Sequence, residues 1–149
     1  MLGLGTDALR RIPTDDSFRI NTTALQAAID ADRAAGLQPF AIIGTAGTVN
    51  TGAIDDLPAL ASIAATENIW FHIDGAFAAS GIMSDTLRPK LAGMELADSV
   101  ALSSFARATG SAVPSRPGRT IFSPNYAVSQ QASLGRSSSG PSCHAAFAR

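Results

Sequence analysis

The nine residues Ile69-Trp70-Phe71-His72-Ile73-Asp74-Gly75-Ala76-Phe77 constrain this chain more than any other stretch. An apolar run ends on a carboxylate, then on two small residues and an aromatic. The run reads as a buried strand whose last side chain faces a partner. Burying a carboxylate costs several kcal/mol unless a partner offsets it. Upstream, Phe40-Ala41-Ile42-Ile43-Gly44 is a second short apolar strand. Between the two, Asp55-Asp56 caps a helix that tolerates Pro58 in its first turn and buries Leu57, Leu60, Ile63 and Ala64. Strand, helix and strand within some thirty residues form a βαβ unit, so the strands should be parallel. Their continuous apolar character predicts an α/β fold with a sheet covered on both faces.

The flanking segments extend this pattern. Leu2 to Arg19 is short, mixed and turn-rich. Asn21-Thr22-Thr23 offers an N-cap to an alanine-rich helix over 24–35, with Leu25, Ala28 and Ile29 on its apolar face. Asp32 interrupts that face at i+7, and Gly36 stands where a C′ residue belongs. Further on, Ser84 caps an expected helix over 85–92 that ends at Gly93, and Ser99-Val100-Ala101-Leu102 is a third strand. Ligands in such sheets bind at the carboxyl ends of the strands. The 45–52 loop, Asp74 and Ser103 all fall at such ends, so one pocket is expected there.

Composition narrows the function. A net charge of −1 gives no bulk electrostatic case for nucleic acid or an anionic membrane. No apolar run approaches the ~20 residues of a membrane span. The first residues lack the basic and apolar regions of a secretory signal. A single cysteine, Cys143, excludes an internal disulfide framework and suits a reducing, cytoplasmic setting. The glycines of the 45–52 loop lack the Gly-Lys-Ser/Thr of a phosphate-binding loop, and Gly3-x-Gly5 lacks the third glycine of a dinucleotide fingerprint. His72 and Asp74 share a strand face and would ligate a metal only if a third ligand joined them. The plainer reading of His72 is a hydrogen-bonded strand residue.

Several motifs together resemble the group II pyridoxal-phosphate-dependent amino-acid decarboxylases, of which aromatic-L-amino-acid decarboxylase is a well-known member. They are Thr45-Ala46-Gly47-Thr48, Gly52-Ala53-Ile54-Asp55, Trp70 to Phe77, Leu87-Arg88, Leu91-Ala92-Gly93 and Ala97-Asp98-Ser99-Val100. They keep the family's order from about Leu2 to Leu102. The resemblance implies part of a fold type I large domain, pyridoxal 5′-phosphate as cofactor, an amino-acid substrate (aromatic by default) and a homodimer in the intact family. It implies that Asp74 hydrogen-bonds the pyridine nitrogen, that Ala76 packs against the ring, and that Thr48 lies in the loop near the cofactor. Val49 replaces a second threonine often found there. His72 matches a histidine in a supporting role.

The departures are as specific. The family lysine that forms the Schiff base with the cofactor falls on Ala106, and the histidine before it on Phe105. The chain's one lysine, Lys90, lies on the expected 85–92 helix, where a solvated surface role is the expectation. Arg107 stays protonated and is a poor substitute nucleophile. No catalytic residue is therefore assigned. From Ser99 onward there is no acidic residue but there are five arginines. Residues 1–103 are expected to be a piece of the large domain and 104–149 an unstructured, low-complexity basic tail. A shift of reading frame, a deletion or a misplaced gene boundary at Ser103 would leave this pattern. Two readings stand beside an inactive piece of a decarboxylase: a non-enzymatic paralogue that serves as a binding module, and a metal-dependent enzyme built on His72 and Asp74.

Overall fold

A computed structural model describes residues 7–102 and 145–148. Its centre is the expected βαβ unit. Strand β2 (Ala41–Thr45) leads through helix α2 (Leu57–Glu67) to strand β3 (Trp70–Asp74), and the strands are parallel, with Ala41 opposite Trp70 and Thr45 opposite Asp74. Asp56 is the N-cap of α2 and accepts the Ala59 N–H at 3.1 Å. Asn68 closes the helix in the left-handed conformation, at φ 53°. Strand β4 (Ser99–Ala101) pairs parallel to β3. Asp98 fixes that start: its N–H donates to Phe71 O at 2.9 Å and its carboxylate accepts Phe71 N–H at 2.8 Å.

Helix α1 (Thr22–Ala34) has Asn21 as N-cap, its side chain accepting Ala24 N–H at 2.9 Å. It ends in a Schellman arrangement. Gly36 at φ 77° donates to Arg33 O, and Leu37 N–H reaches back to Asp32 O at 2.9 Å. Asp32 does not break the buried stripe; it completes it. Its side chain is 1% exposed and is paired with Arg10, whose Nε lies 3.1 Å from Oδ2 and whose Nη2 meets Oδ1. Arg10 comes from strand β1 (Leu9–Ile12), so part of the expected turn-rich segment is a strand. Two adjacent arginines hid it, because one of them is half of an ion pair. Arg10→Ala should lower stability by about 2 kcal/mol, less than for a fully enclosed pair because Arg10 is a third exposed. A urea midpoint against the parent chain measures this.

A further strand, β5 (Ala145–Ala148), completes the sheet, whose order is β1-β5-β2-β3-β4. Strand β5 runs antiparallel to both β1 and β2, with Ala148 opposite Leu9 and Ala41. These four residues of the expected unstructured tail therefore belong to the sheet. The rest of that tail, with Ala106 and His144, lies outside the described residues.

The core sits on one face of the sheet. Ile42, Phe71 and Ile73 pack with Leu25 and Ile29 of α1 and Leu57 and Leu60 of α2. Gly44 lets α2 approach, since a Cβ there would meet Leu60 Cδ1 at 2.9 Å. On the other face Ala41, Ile43, Trp70 and His72 are only half-buried. Among the described residues the sheet is thus layered on one side, not on both as expected.

The expected helix over 85–92 is absent. Ser84 ends a 3₁₀ turn, Ala79–Met83, and two more follow at Arg88–Leu91 and Met94–Leu96. Pro89 explains the difference. In a helix capped by Ser84 it would sit in the second turn, where it lacks the N–H to bond residue 85 and its ring would crowd that carbonyl. A 3₁₀ turn uses proline at its start instead. Lys90 is exposed on the middle turn.

Candidate cofactor site

The site lies where β2 and β3 end. Three backbone bonds join the segments: Ala46 N–H to Asp74 O at 2.8 Å, Asp55 N–H to Thr45 O at 3.0 Å, and Gly75 N–H to Ala101 O at 3.0 Å. Gly47, at φ 91°, allows the loop after β2 to rest on the turn after β3. A Cβ there would lie 2.4 Å from Ala78 Cβ and 3.4 Å from Phe77 Cδ1. The Thr48 loop and the Asp74 turn are therefore in contact, as the expected single pocket requires.

Asp74 is exposed at the end of β3. Its Oδ1 accepts Ala76 N–H at 3.2 Å, an aspartate-turn contact that fixes the carboxylate and folds Ala76 beside it. Among the described residues Oδ2 takes no hydrogen bond. A fixed carboxylate with one oxygen open, next to a small exposed alanine, fits a flat heteroaromatic ring that presents an N–H⁺. Ser103, the third expected wall, lies outside the described residues.

Thr48 is placed differently. It is 6% exposed, and its hydroxyl bonds Thr51 Oγ1 at 2.5 Å and accepts Ala53 N–H at 3.1 Å. It braces the loop from inside, while Val49 beside it is 70% exposed.

Asp55 was not legible as a site residue. The Asp55-Asp56 pair reads as a cap, but one aspartate suffices for that. Asp55 is buried, accepting Ile20 N–H on Oδ1 and Thr45 N–H on Oδ2, each at 2.7 Å. It ties the start of the loop to the segment before α1. The doublet, and the place of Asp55 at the end of the Gly52-Ala53-Ile54-Asp55 motif, were the available signals.

His72 lies on the same strand face as Asp74, two residues before it. Its Nδ1 is 2.8 Å from Ser99 Oγ, which also accepts Trp70 Nε1–H at 2.9 Å. Burial pushes the imidazole below its ordinary value near 6.5, and the Asp74 carboxylate draws it back in part. The folded chain therefore holds the His72 proton more weakly than the unfolded chain. Stability is full above about pH 6.5 and declines as pH falls through the folded midpoint. In His72→Gln this part of the decline should vanish, read as a smaller loss of thermal midpoint between pH 7.5 and 5.5.

Among the described residues no third histidine, cysteine, aspartate or glutamate gathers with His72 and Asp74 to hold a metal. No helix among them is long and apolar enough to cross a membrane. Lys90 lines a shallow cavity of about 440 Å³ with Arg19, Gly52, Asp55 and Pro58; Asp74 is not part of its lining.

Residues 2–106 match the family described as the pyridoxal-dependent decarboxylase conserved domain. The chain belongs to the pyridoxal-dependent decarboxylase family. Among curated decarboxylases it is 40% identical over 102 residues to the aromatic-L-amino-acid decarboxylase of Bacillus atrophaeus, covering 68% of this chain and 21% of that protein. It is 38% identical over 122 residues to the aspartate 1-decarboxylase of Aliivibrio fischeri, covering 82% and 22%. The crystal structure of mouse CSAD superposes with a TM-score of 0.66 at 40% identity, over 68% of this chain and 22% of that one. A rice TDC crystallised with PLP gives 0.63 at 34%, over 68% and 22%. The chain thus spans about a fifth of the length of these decarboxylases.

Proposed function

We propose that this chain carries one wall of the cofactor site of a pyridoxal-phosphate-dependent amino-acid decarboxylase. The observation that carries the reading is Asp74, fixed by Ala76 N–H and, among the described residues, with one carboxylate oxygen open at the end of β3. Asp74 would hold the proton on the cofactor's ring nitrogen through a charge-assisted hydrogen bond. Ala76 would lie against the ring, where a larger side chain would push it away. Asp55 and Thr48 would hold the loop that limits the ring's other edge. Bound there, the pyridinium would supply the electron sink for the electron pair left by loss of CO₂.

The substrate is an amino acid. Aromatic side chains are the default reading, and the relatives named for aspartate and cysteine sulfinate make acidic substrates the second. A cytoplasmic setting and a homodimeric whole enzyme belong to the same reading.

This polypeptide alone should be inactive. The family lysine slot is Ala106 here, and the one lysine, Lys90, is exposed beside a cavity whose lining does not include Asp74. The tail after Ser103 is read as the product of a shifted frame or a deletion. The 122-residue match supports a competing view. Because it covers 122 of 149 residues, it reaches at least residue 122, past the change in composition. Two experiments test the reading. Release of CO₂ from aromatic amino acids, aspartate and cysteine sulfinate, with added pyridoxal 5′-phosphate, should stay at the level of free cofactor. Turnover well above that level would overturn the claim of inactivity. Sequencing across codons 95–150 should reveal a neighbouring frame encoding His-Lys near codon 105; its absence would make the loss of lysine genuine and favour a binding module.

A further inference from the structure

Trp70, His72 and Ser99 form a hydrogen-bonded group on the face of the sheet that is half-covered among the described residues. Trp70 and His72 are two apart on β3 and so share a face. Ser99 stands opposite His72 in the parallel β3–β4 register. The protons in this group can be counted. The indole Nε1–H only donates, so at 2.9 Å it occupies one lone pair of Ser99 Oγ. Among the described residues, the only other group within hydrogen-bond reach of that hydroxyl is His72 Nδ1, at 2.8 Å. If Nδ1 carried the ring proton, the serine would accept twice and its own O–H would have no acceptor among the described residues. The satisfied arrangement has Ser99 donating to Nδ1 and the ring proton on Nε2.

We propose that Ser99, clamped by Trp70, locks His72 as the neutral Nε2–H tautomer, and that this uncharged ring is a positioning residue for Asp74. His72 and Asp74 are about 7 Å apart along the strand by its rise. The other ionisable neighbour is Asp98 before β4, and on β2 the register places Ile43 beside His72. The Asp74 carboxylate draws His72 toward the imidazolium, while the Asp98 carboxylate is taken up by Phe71 N–H. An imidazolium would be a second cation on the face of Asp74 and would compete for the carboxylate. A neutral N–H dipole leaves the Asp74 carboxylate available to one cation, which on the functional reading above is the cofactor's ring nitrogen.

The test uses the whole ¹⁵N-labelled chain without cofactor, read by long-range ¹H–¹⁵N correlation of the imidazoles at pH 7. The signals of His72 are separated from those of the other histidine by a His144→Gln control. The expected pattern is neutral Nε2–H. In Ser99→Ala the pattern should become a mixture of tautomers, with the His72 midpoint shifted upward. Ser99→Thr should restore both. An Nδ1–H pattern or an imidazolium in the parent chain would overturn the proposal whether or not the variants fold. So would an unchanged pattern in Ser99→Ala. Pyridoxal 5′-phosphate titrations form the second arm. Between pH 7.5 and 6, Ser99→Ala should lose several-fold more affinity than the parent, and Ser99→Thr should not. Equal losses in parent and Ser99→Ala would overturn the link to Asp74. If Asp74→Asn leaves cofactor binding unchanged, the functional reading fails, while the tautomer pattern still decides the clamp.

Discussion

Asp74→Asn weakens binding of pyridoxal 5′-phosphate about thirtyfold. The amide keeps the shape of the carboxylate but carries no charge, and with its Oδ1 on Ala76 N–H it presents an NH2 donor where the open oxygen of Asp74 stood. What is lost is the charge on one partner of the bond, worth about 2 kcal/mol in a partly exposed site. The turn should survive, because an asparagine Oδ1 accepts Ala76 N–H as Asp74 does now at 3.2 Å. Circular dichroism and the urea midpoint should therefore match the parent, and the loss should appear only in cofactor titrations. Ala76→Val provides the steric counterpart. It adds bulk beside an intact carboxylate and should also weaken binding without lowering stability, since residue 76 is exposed. If both variants bind as the parent does, the cofactor does not lie between these residues.

Phe71→Ala gives the largest loss of stability, about 3–5 kcal/mol. Phe71 is 1% exposed at the middle of β3. Its ring fills the space that Gly44 leaves on β2, where a Cβ would meet Phe71 Cε2 at 3.3 Å. Removing it opens a cavity between sheet and α2 that the backbone of a central strand closes poorly. Small domains are stable by only about 5–15 kcal/mol. Among the described residues one face of the sheet is half-covered, which places the chain at the lower end, so this variant should be largely unfolded at ambient temperature. Phe77→Ala is the control. Phe77 is 60% exposed, and its removal should change the midpoint by about 0.5 kcal/mol at most. A falling urea midpoint at constant slope would show that native stability alone has changed.

The βαβ unit was legible because its signals are local. The apolar runs of β2 and β3, the aspartate-proline start of α2 and Asn68 at its end each act within a few residues. The same holds for Asn21 and Gly36 around α1. Asp74 and Ala76 were legible only as a motif in sequence, and the fold adds the contact that joins them. What stayed hidden depends on partners far along the chain. Asp32 looks like a flaw in an apolar stripe until Arg10, 22 residues earlier, is seen to neutralise it. Asp55 looks like half of a cap until its oxygens are found on Ile20 and Thr45, 35 and 10 residues away. The motif puts Thr48 in the loop expected near the cofactor, and the fold adds that its hydroxyl is bonded within that loop, to Thr51 and Ala53 N–H. Pro89 was a local signal that the helix expectation overrode.

The central claim is that Asp74 holds a proton on the ring nitrogen of a bound cofactor. The most direct measurement is the ¹⁵N resonance of pyridoxal 5′-phosphate labelled at that nitrogen, bound to the chain at a pH where the free ring is neutral. The account predicts a pyridinium shift in the parent chain and a neutral pyridine shift in Asp74→Asn. A neutral ring in the parent, or the same shift in both, would contradict it.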